Sequence, residues 1–283
     1  MKRTETHRGR FYDANGKKYP SVTTILSCIS KPALMYWGAK VEREMVIAAA
    51  ADFYEELEAV RDNVAPGLLK SISKLGFVTQ LAQRIGKEQA SKKLLEKAGD
   101  IGSQAHQRIE WLLRGELCQK VGYEPPIGPE AQIAVDAWQQ WRKKVNFRPL
   151  AVESMVVSHV HGFAGTQDCL SAEIDGVVTQ CDWKTGKAVY YEAHLQNAAY
   201  RVAVREMGIA DPKAGLILRL PKTKEEPGFE AAPARDEQQC FEVFLAAKKL
   251  WTDMQETDRW LKEQDEKMED LLKESIAQIR ATA

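Results

Sequence analysis

The stretch Asp182-Trp183-Lys184-Thr185-Gly186 constrains this chain more than any other, because it follows a turn dipeptide that forces strand pairing. Asp175-Gly176 stands between Ala172-Glu173-Ile174 and Val177-Val178, and Asp-Gly between such segments is a strong hairpin signal. Strands are therefore predicted at 164–173 and 177–184. Side chains alternate across a strand, so Asp182 and Lys184 share one face and Cys181 and Trp183 the other. Gly165-Thr166-Gln167-Asp168 lies on the preceding strand, and closing the hairpin brings Asp168 close to Asp182. Two carboxylates suited to a hard cation then sit beside an ammonium suited to activating water.

The flanking sequence supplies helices and further strands. A strand is predicted at 150–158, a helix at about 190–207 and a strand over Gly215-Leu216-Ile217-Leu218-Arg219-Leu220. A helix from about Ser103 to Arg114 follows from the apolar stripe Ile101, Ala105, Ile109, Leu112 and Leu113, and Gly115 ends it. Another follows the loop Glu124-Pro125-Pro126-Ile127-Gly128-Pro129, with Ile133, Ala137, Trp138 and Trp141 on its apolar side. From Leu34 to about Lys97 the chain is rich in Ala, Glu, Leu and Lys and reads as two or three helices, broken at Asn63-Val64-Ala65-Pro66-Gly67. The opening is read as a hairpin about Asn15-Gly16, followed by a short helix capped by Ser21. Residues 221–237 read as an exposed loop, and 238–282 as one more strand and a long charged helix. The division expected is 1–100, an N-terminal hairpin and helical cap, and 101–283, the catalytic core with its C-terminal helix.

In this order, Gly165 to Asp168, Asp182 to Lys184, and Gln196 to Tyr200 resemble the PD-(D/E)xK nuclease superfamily. The branch they resemble is the RecB-like one, whose pattern is Gly-x-x-Asp, Asp/Glu-x-Lys and Gln-x-x-x-Tyr. Gly102-Ser103-Gln104-Ala105-His106 fits the helical histidine of that branch. The resemblance implies an α/β fold with a restriction-endonuclease-like core, helix, three strands, helix, strand, in a mixed sheet flanked by helices. It also implies a Mg²⁺ or Mn²⁺ site with Asp168, Asp182, His106 and the backbone carbonyl of Trp183 as ligands. An imidazole among oxygen ligands tilts preference toward Mn²⁺.

Phosphodiester hydrolysis needs a hydroxide nucleophile, relief of phosphorane charge and an acid for the leaving oxygen, and hard divalent cations help with all three. Lys184 is the expected base or water-positioning group, its pKa lowered by metal charge and partial burial. Gln196 and Tyr200, four apart, project from one helical face, where the resemblance sets them against the active site and the nucleic-acid backbone. Glu153 sits on the first strand, where related nucleases have a site-lining acid; it either binds the metal or a water, or faces solvent. Thr185 and Gly186 shape the turn, and Lys187 just beyond is the preferred phosphate contact. Lys70, Lys74, Arg84, Lys87, Lys92 and Lys93 read as a solvated face unless they converge on the cleft. His159 and His161 read as a substrate-facing or solvated edge, because no third ligand stands at suitable spacing.

Composition narrows the classes further. With 40 basic and 40 acidic residues the net charge is zero, so nucleic-acid binding must come from a local patch. No apolar run approaches the length of a membrane span, and the polar start lacks a signal-peptide core, so a cytoplasmic protein without membrane association is expected. Cys28, Cys118, Cys169, Cys181 and Cys240 are scattered, with no Cys-x-x-Cys pair, which argues for reduced thiols. The resemblance implies that a cluster-bearing relative would carry one early and three closely spaced late cysteines, and because no cysteine follows Cys240 no iron-sulfur cluster is expected.

The function expected is a metal-dependent deoxyribonuclease, an exonuclease acting from single-stranded or duplex DNA ends in replication, recombination or repair. A structure-selective endonuclease and a non-catalytic module of a recombination assembly are the alternatives. The opening residues, with Lys31-Pro32-Ala33-Leu34 and Trp37, resemble the opening of virus-encoded nucleases of the same branch, which implies a phage origin and a replication or recombination protein as partner.

Overall fold

The structure is a computed structural model that describes residues 1–61, 74–86 and 89–282. It divides into two units, Ser30–Ser103 and the combination of Met1–Ile29 with Gln104–Ala283. The opening hairpin, grouped with the helical cap in the sequence reading, thus belongs to the unit that carries the strands.

The larger unit is built on a five-stranded sheet of β4 (Phe147–Ser158), β5 (Phe163–Ile174), β6 (Val177–Thr185), β7 (Ala214–Leu220) and β8 (Glu230–Pro233), in that spatial order. Pairing is antiparallel except between β6 and β7, which are parallel and joined by helix α6 (Tyr191–Glu206). A parallel pair requires such a crossover. The β5–β6 turn is the predicted one, with Asp175 at φ 50° and Gly176 at φ 86°, the left-handed pair that a tight hairpin demands.

A separate three-stranded sheet, β1 (Lys2–Thr6), β2 (Gly9–Ala14) and β3 (Lys17–Pro20), opens the chain. Asn15 and Gly16 form its second turn, both at positive φ. Helix α1 (Val22–Leu26) follows, and the Ser21 hydroxyl accepts from the Thr24 N–H at 2.9 Å as the predicted cap. Tyr12, Ala14 and Tyr19 pack with Val157 and Ala164, and Ser21 forms a parallel bridge to Ala164, so this small sheet is fastened to β4 and β5.

The main core lies between the sheet and helices α1, α6 and α7 (Glu237–Thr282), around Val156, Phe163, Leu170, Leu195, Tyr200 and Phe244. The extra strand expected after residue 238 is instead β8, inside the segment read as a loop, and α7 runs unbroken for 46 residues. Only four residues long and mostly exposed, β8 pairs with β7 through its backbone, and so leaves no alternating pattern to read.

The smaller unit holds α2 (Pro32–Arg61), α3 (Lys74–Ile85) and the first turns of α4 (Ala90–Glu116). Phe53 stacks on Phe77 at 5.0 Å, and Arg84 covers the Phe53 ring while pairing with Glu56. The predicted break at Asn63–Gly67 lies outside the described residues, as do Lys70 and Lys87. Helix α4 begins thirteen residues earlier than the periodicity suggests (90 against 103), since its first half carries no buried stripe; Ala105, Ile109 and Leu113 are fully buried in its second half. Among the described residues no helix is long and apolar enough to cross a membrane. The five cysteines are free thiols.

Candidate active site

The site forms where the central sheet parts. The β5–β6 ladder runs to the pair Cys169–Cys181 and stops. One step further, Asp168 and Asp182 meet across the opening, and the Asp168 carboxylate, through Oδ2, accepts the Trp183 N–H at 2.7 Å where a backbone carbonyl would otherwise stand. On the other side of β5 the β4 register pairs Val152 with Cys169 and Ser154 with Gln167, which sets Glu153 opposite Asp168. Three adjacent strands therefore bring Glu153, Asp168 and Asp182 into one row.

Glu153 adopts φ 44° in the middle of a strand. A non-glycine residue in that left-handed region costs of order 1 kcal/mol or more, and such strain gathers at functional sites. Its effect is visible in the packing. Ala151 and Val156 both join the main core, as do Phe163 and Leu170, although each pair is an odd number of residues apart. Strict alternation would send the members of each pair to opposite faces. The pleat is thus reset at the level of Glu153 and Asp168.

Helix α4 presents His106 from the side, its Nδ1 3.6 Å from Asp168 Oδ1. Ligand atoms of His106, Glu153 and Asp168 all lie within 4.8 Å of one another. One imidazole and neighbouring carboxylate oxygens form a donor set that fits a hard divalent cation. The electrostatics point the same way: burial, the Asp168 charge and Glu110 push the Glu153 carboxyl up to about 8, against the pull of Arg114 and Arg3. Asp182, fully buried, is raised to about 6 by burial and by Asp168, with Lys184 working in the opposite direction. Carboxylates crowded against their own repulsion are what a cation would relieve.

Lys184 shares the Asp182 face, as alternation requires. Its ammonium donates to Asp182 Oδ1 at 2.9 Å and to Gln196 Oε1 at 3.1 Å; Asp182 Oδ2 lies 2.8 Å away but outside hydrogen-bonding geometry. The lowered Lys184 pKa expected from sequence depended on metal charge as well as burial, and burial and the neighbouring carboxylates act on it here without that charge. Burial does act to lower it, but Asp182 and Asp168 outweigh burial and the group is raised.

Gln196 and Tyr200 stand on the buried side of α6, and Gln196 Nε2 lies 3.4 Å from the Tyr200 hydroxyl. Tyr200 explains the glycine of Gly-x-x-Asp: a Cβ on Gly165 would fall 2.4 Å from the tyrosine ring. The two motif pieces are therefore packed against each other. The opposite face of β6 is pure core, with Trp183 edge-on to Trp138 and Trp141 at ring separations of 6.3 and 5.6 Å. Buried Arg219, the β7 partner of Lys184, bonds carbonyls of Pro227 and Gly228 and ties the 221–230 segment to the strand.

Seven of the predicted side chains thus converge: His106, Glu153, Asp168, Asp182, Lys184, Gln196 and Tyr200. Thr185 ends β6 opposite Leu220, and Lys187 lies exposed beyond it. His159 and His161 fall in the β4–β5 turn, not on a strand face. His159 Nδ1 bonds the Tyr19 hydroxyl at 2.8 Å, and His161 lies 3.4 Å from Glu206 and edge-on to Phe241. Sequence reasoning passed over Glu110 and Arg3, whose charges reach Glu153. His106-x-x-x-Glu110 spacing was a readable signal for the first, whereas nothing local marks the second.

The chain matches the PD-(D/E)XK nuclease superfamily over residues 73–280 and belongs to that family. The protein is therefore a hydrolytic nuclease with a restriction-endonuclease-like core, of a kind that uses divalent metal ions. A solved structure from Eubacterium rectale, of a protein assigned as an exonuclease, shares 13% identity at a TM-score of 0.38 and covers 63% of this chain and 73% of its own. No curated protein matched the chain.

Proposed function

We propose that this nuclease is a Mg²⁺- or Mn²⁺-dependent deoxyribonuclease of the RecB-like branch that degrades DNA from its ends. The observation that carries the reading is the row Glu153, Asp168 and Asp182, with His106 against Glu153 and Asp168 and Lys184 against Asp182. His106, Glu153, Asp168 and Asp182, with the Trp183 carbonyl, are the groups that would hold the cation. When bound, the cation supplies Lewis acidity and a more acidic water. Lys184 spends two of its three N–H donors on Asp182 and Gln196; the third is left for the attacking water or a phosphate oxygen. Gln196 fixes the direction of that donor, and Tyr200 backs Gln196. Thr185 and Lys187, at the exposed end of β6, meet the nucleic-acid backbone.

End dependence rests on the likeness of the His106 helix to that of RecB-like exonucleases, and a role in recombination or repair within a cytoplasm, host cytoplasm for a phage gene, rests on the same likeness. The test is cleavage of end-labelled linear and closed circular DNA, single- and double-stranded, with Mg²⁺, Mn²⁺ or EDTA, for wild type and Lys184→Ala. Loss of linear substrate alone, dependent on metal and reduced at least ~100-fold in the variant, is the expected result. Cutting of circles would replace the exonuclease reading by an endonuclease one, and tight binding without cleavage under any metal would overturn catalysis.

A further inference from the structure

The chain is neutral overall, but its first twenty residues are not. They hold Lys2, Arg3, Arg8, Arg10, Lys17 and Lys18 against Glu5 and Asp13. Those residues form the three-stranded sheet that is fastened beside the active site. Tyr12 on β2 bonds Thr166 at 2.8 Å, two residues before Asp168. Tyr12 is in turn the cross-strand partner of Arg3 on the exposed edge strand β1. Paired residues of neighbouring strands point to the same face, so Arg3 projects on the side from which Tyr12 reaches β5.

Of the arginines on this sheet, Arg10 is already bound to Glu5 at 2.8 Å, whereas Arg3 has no ion pair among the described residues. A polyanion approaching a row of three carboxylates meets repulsion that a nearby unpaired cation offsets. We propose that Arg3 binds a phosphate of the substrate strand next to the scissile one, with the small N-terminal sheet acting as the ledge that holds the strand in register. This rests on the site proposed above. A planar guanidinium suits the task because it engages two phosphate oxygens at once.

The experiment compares wild type, Arg3→Ala, Arg3→Lys and Arg8→Ala, the last removing an equal charge from the β1–β2 turn. A fluorescent single-stranded oligonucleotide is titrated by anisotropy in EDTA across a salt series, and KM and kcat are measured with Mn²⁺. Arg3→Ala should weaken binding by about tenfold, flatten the log-affinity against log-salt slope by roughly 0.7 to 0.9, as expected for one lost phosphate contact, and raise KM with little change in kcat. Arg3→Lys should recover the slope but only part of the affinity, and Arg8→Ala should change little. Unaltered binding in Arg3→Ala, or an equal loss in Arg8→Ala, overturns the proposal. The EDTA titration separates the two readings: a wild type that binds but never cleaves defeats the proposed catalysis and still decides the Arg3 contact.

Discussion

The two faces of β6 are one residue apart and obey opposite rules. Cys181 and Trp183 look into an aromatic cluster with Trp138, Trp141 and Phe147, which the Arg142 guanidinium covers over the Trp138 and Phe147 rings. Asp182 and Lys184 look toward α6 and Asp168, where a fully buried carboxylate is held by one ammonium and strained by another carboxylate. The first face stabilises the fold and does no chemistry. The second stores unfavourable electrostatics that a folded protein tolerates only because the first anchors the strand.

The comparison breaks most sharply at Asp182. Asp182→Asn keeps shape and volume but removes the charge, so metal-dependent cleavage should fall by on the order of a thousandfold or more. Stability should change little, because the desolvation relieved and the Lys184 partner lost act in opposite directions. A measured loss of activity below tenfold would separate Asp182 from the reaction. Its neighbour should do the reverse. Trp183→Ala should cost about 3–5 kcal/mol in denaturant unfolding, while the fraction still folded keeps its activity per molecule. If Trp183→Ala abolished turnover in protein shown to be folded, the division of labour between the two faces would be wrong.

That division is largely legible in the sequence, since it depends on two local rules: the Asp-Gly turn fixes the hairpin, and alternation assigns Asp182 and Trp183 to opposite faces. The match of Gly165 to Asp168, Asp182 to Lys184 and Gln196 to Tyr200 placed the rest. What could not be read is long-range or breaks the rule. No pattern announces that β5 and β6 separate after Cys169–Cys181, or that Glu153 resets the pleat with a left-handed backbone. The raised Lys184 pKa depends on how close three carboxylates come, which spacing along the chain does not give. Arg3 lies 150 residues before Glu153 (3 against 153), and only the packing of Tyr12 on Thr166 brings it near.

Glu153 offers the finest way to sharpen the contrast, because its effect on the metal-free protein should depend on pH. Its folded pKa is raised to about 8 by burial, Asp168 and Glu110, with Arg114 and Arg3 pulling down, whereas an unfolded glutamate titrates in the ordinary carboxylate range near 4.3. Between those values the folded state holds a proton that the unfolded state has released. The stability this group contributes is therefore complete at low pH and is lost as pH rises toward about 8. Glu153→Gln should remove that loss. In EDTA, wild type should lose stability between pH 5.5 and 8.5 relative to the variant, with a difference on the order of 1 kcal/mol once other groups are shared. Added Mn²⁺ should stabilise wild type most at the upper end of the range, since a ligand carboxylate must be deprotonated to bind, and the variant much less. Parallel stability curves for the two proteins in EDTA would show that the row of carboxylates carries no stored repulsion at Glu153, and that the left-handed backbone there has another cause.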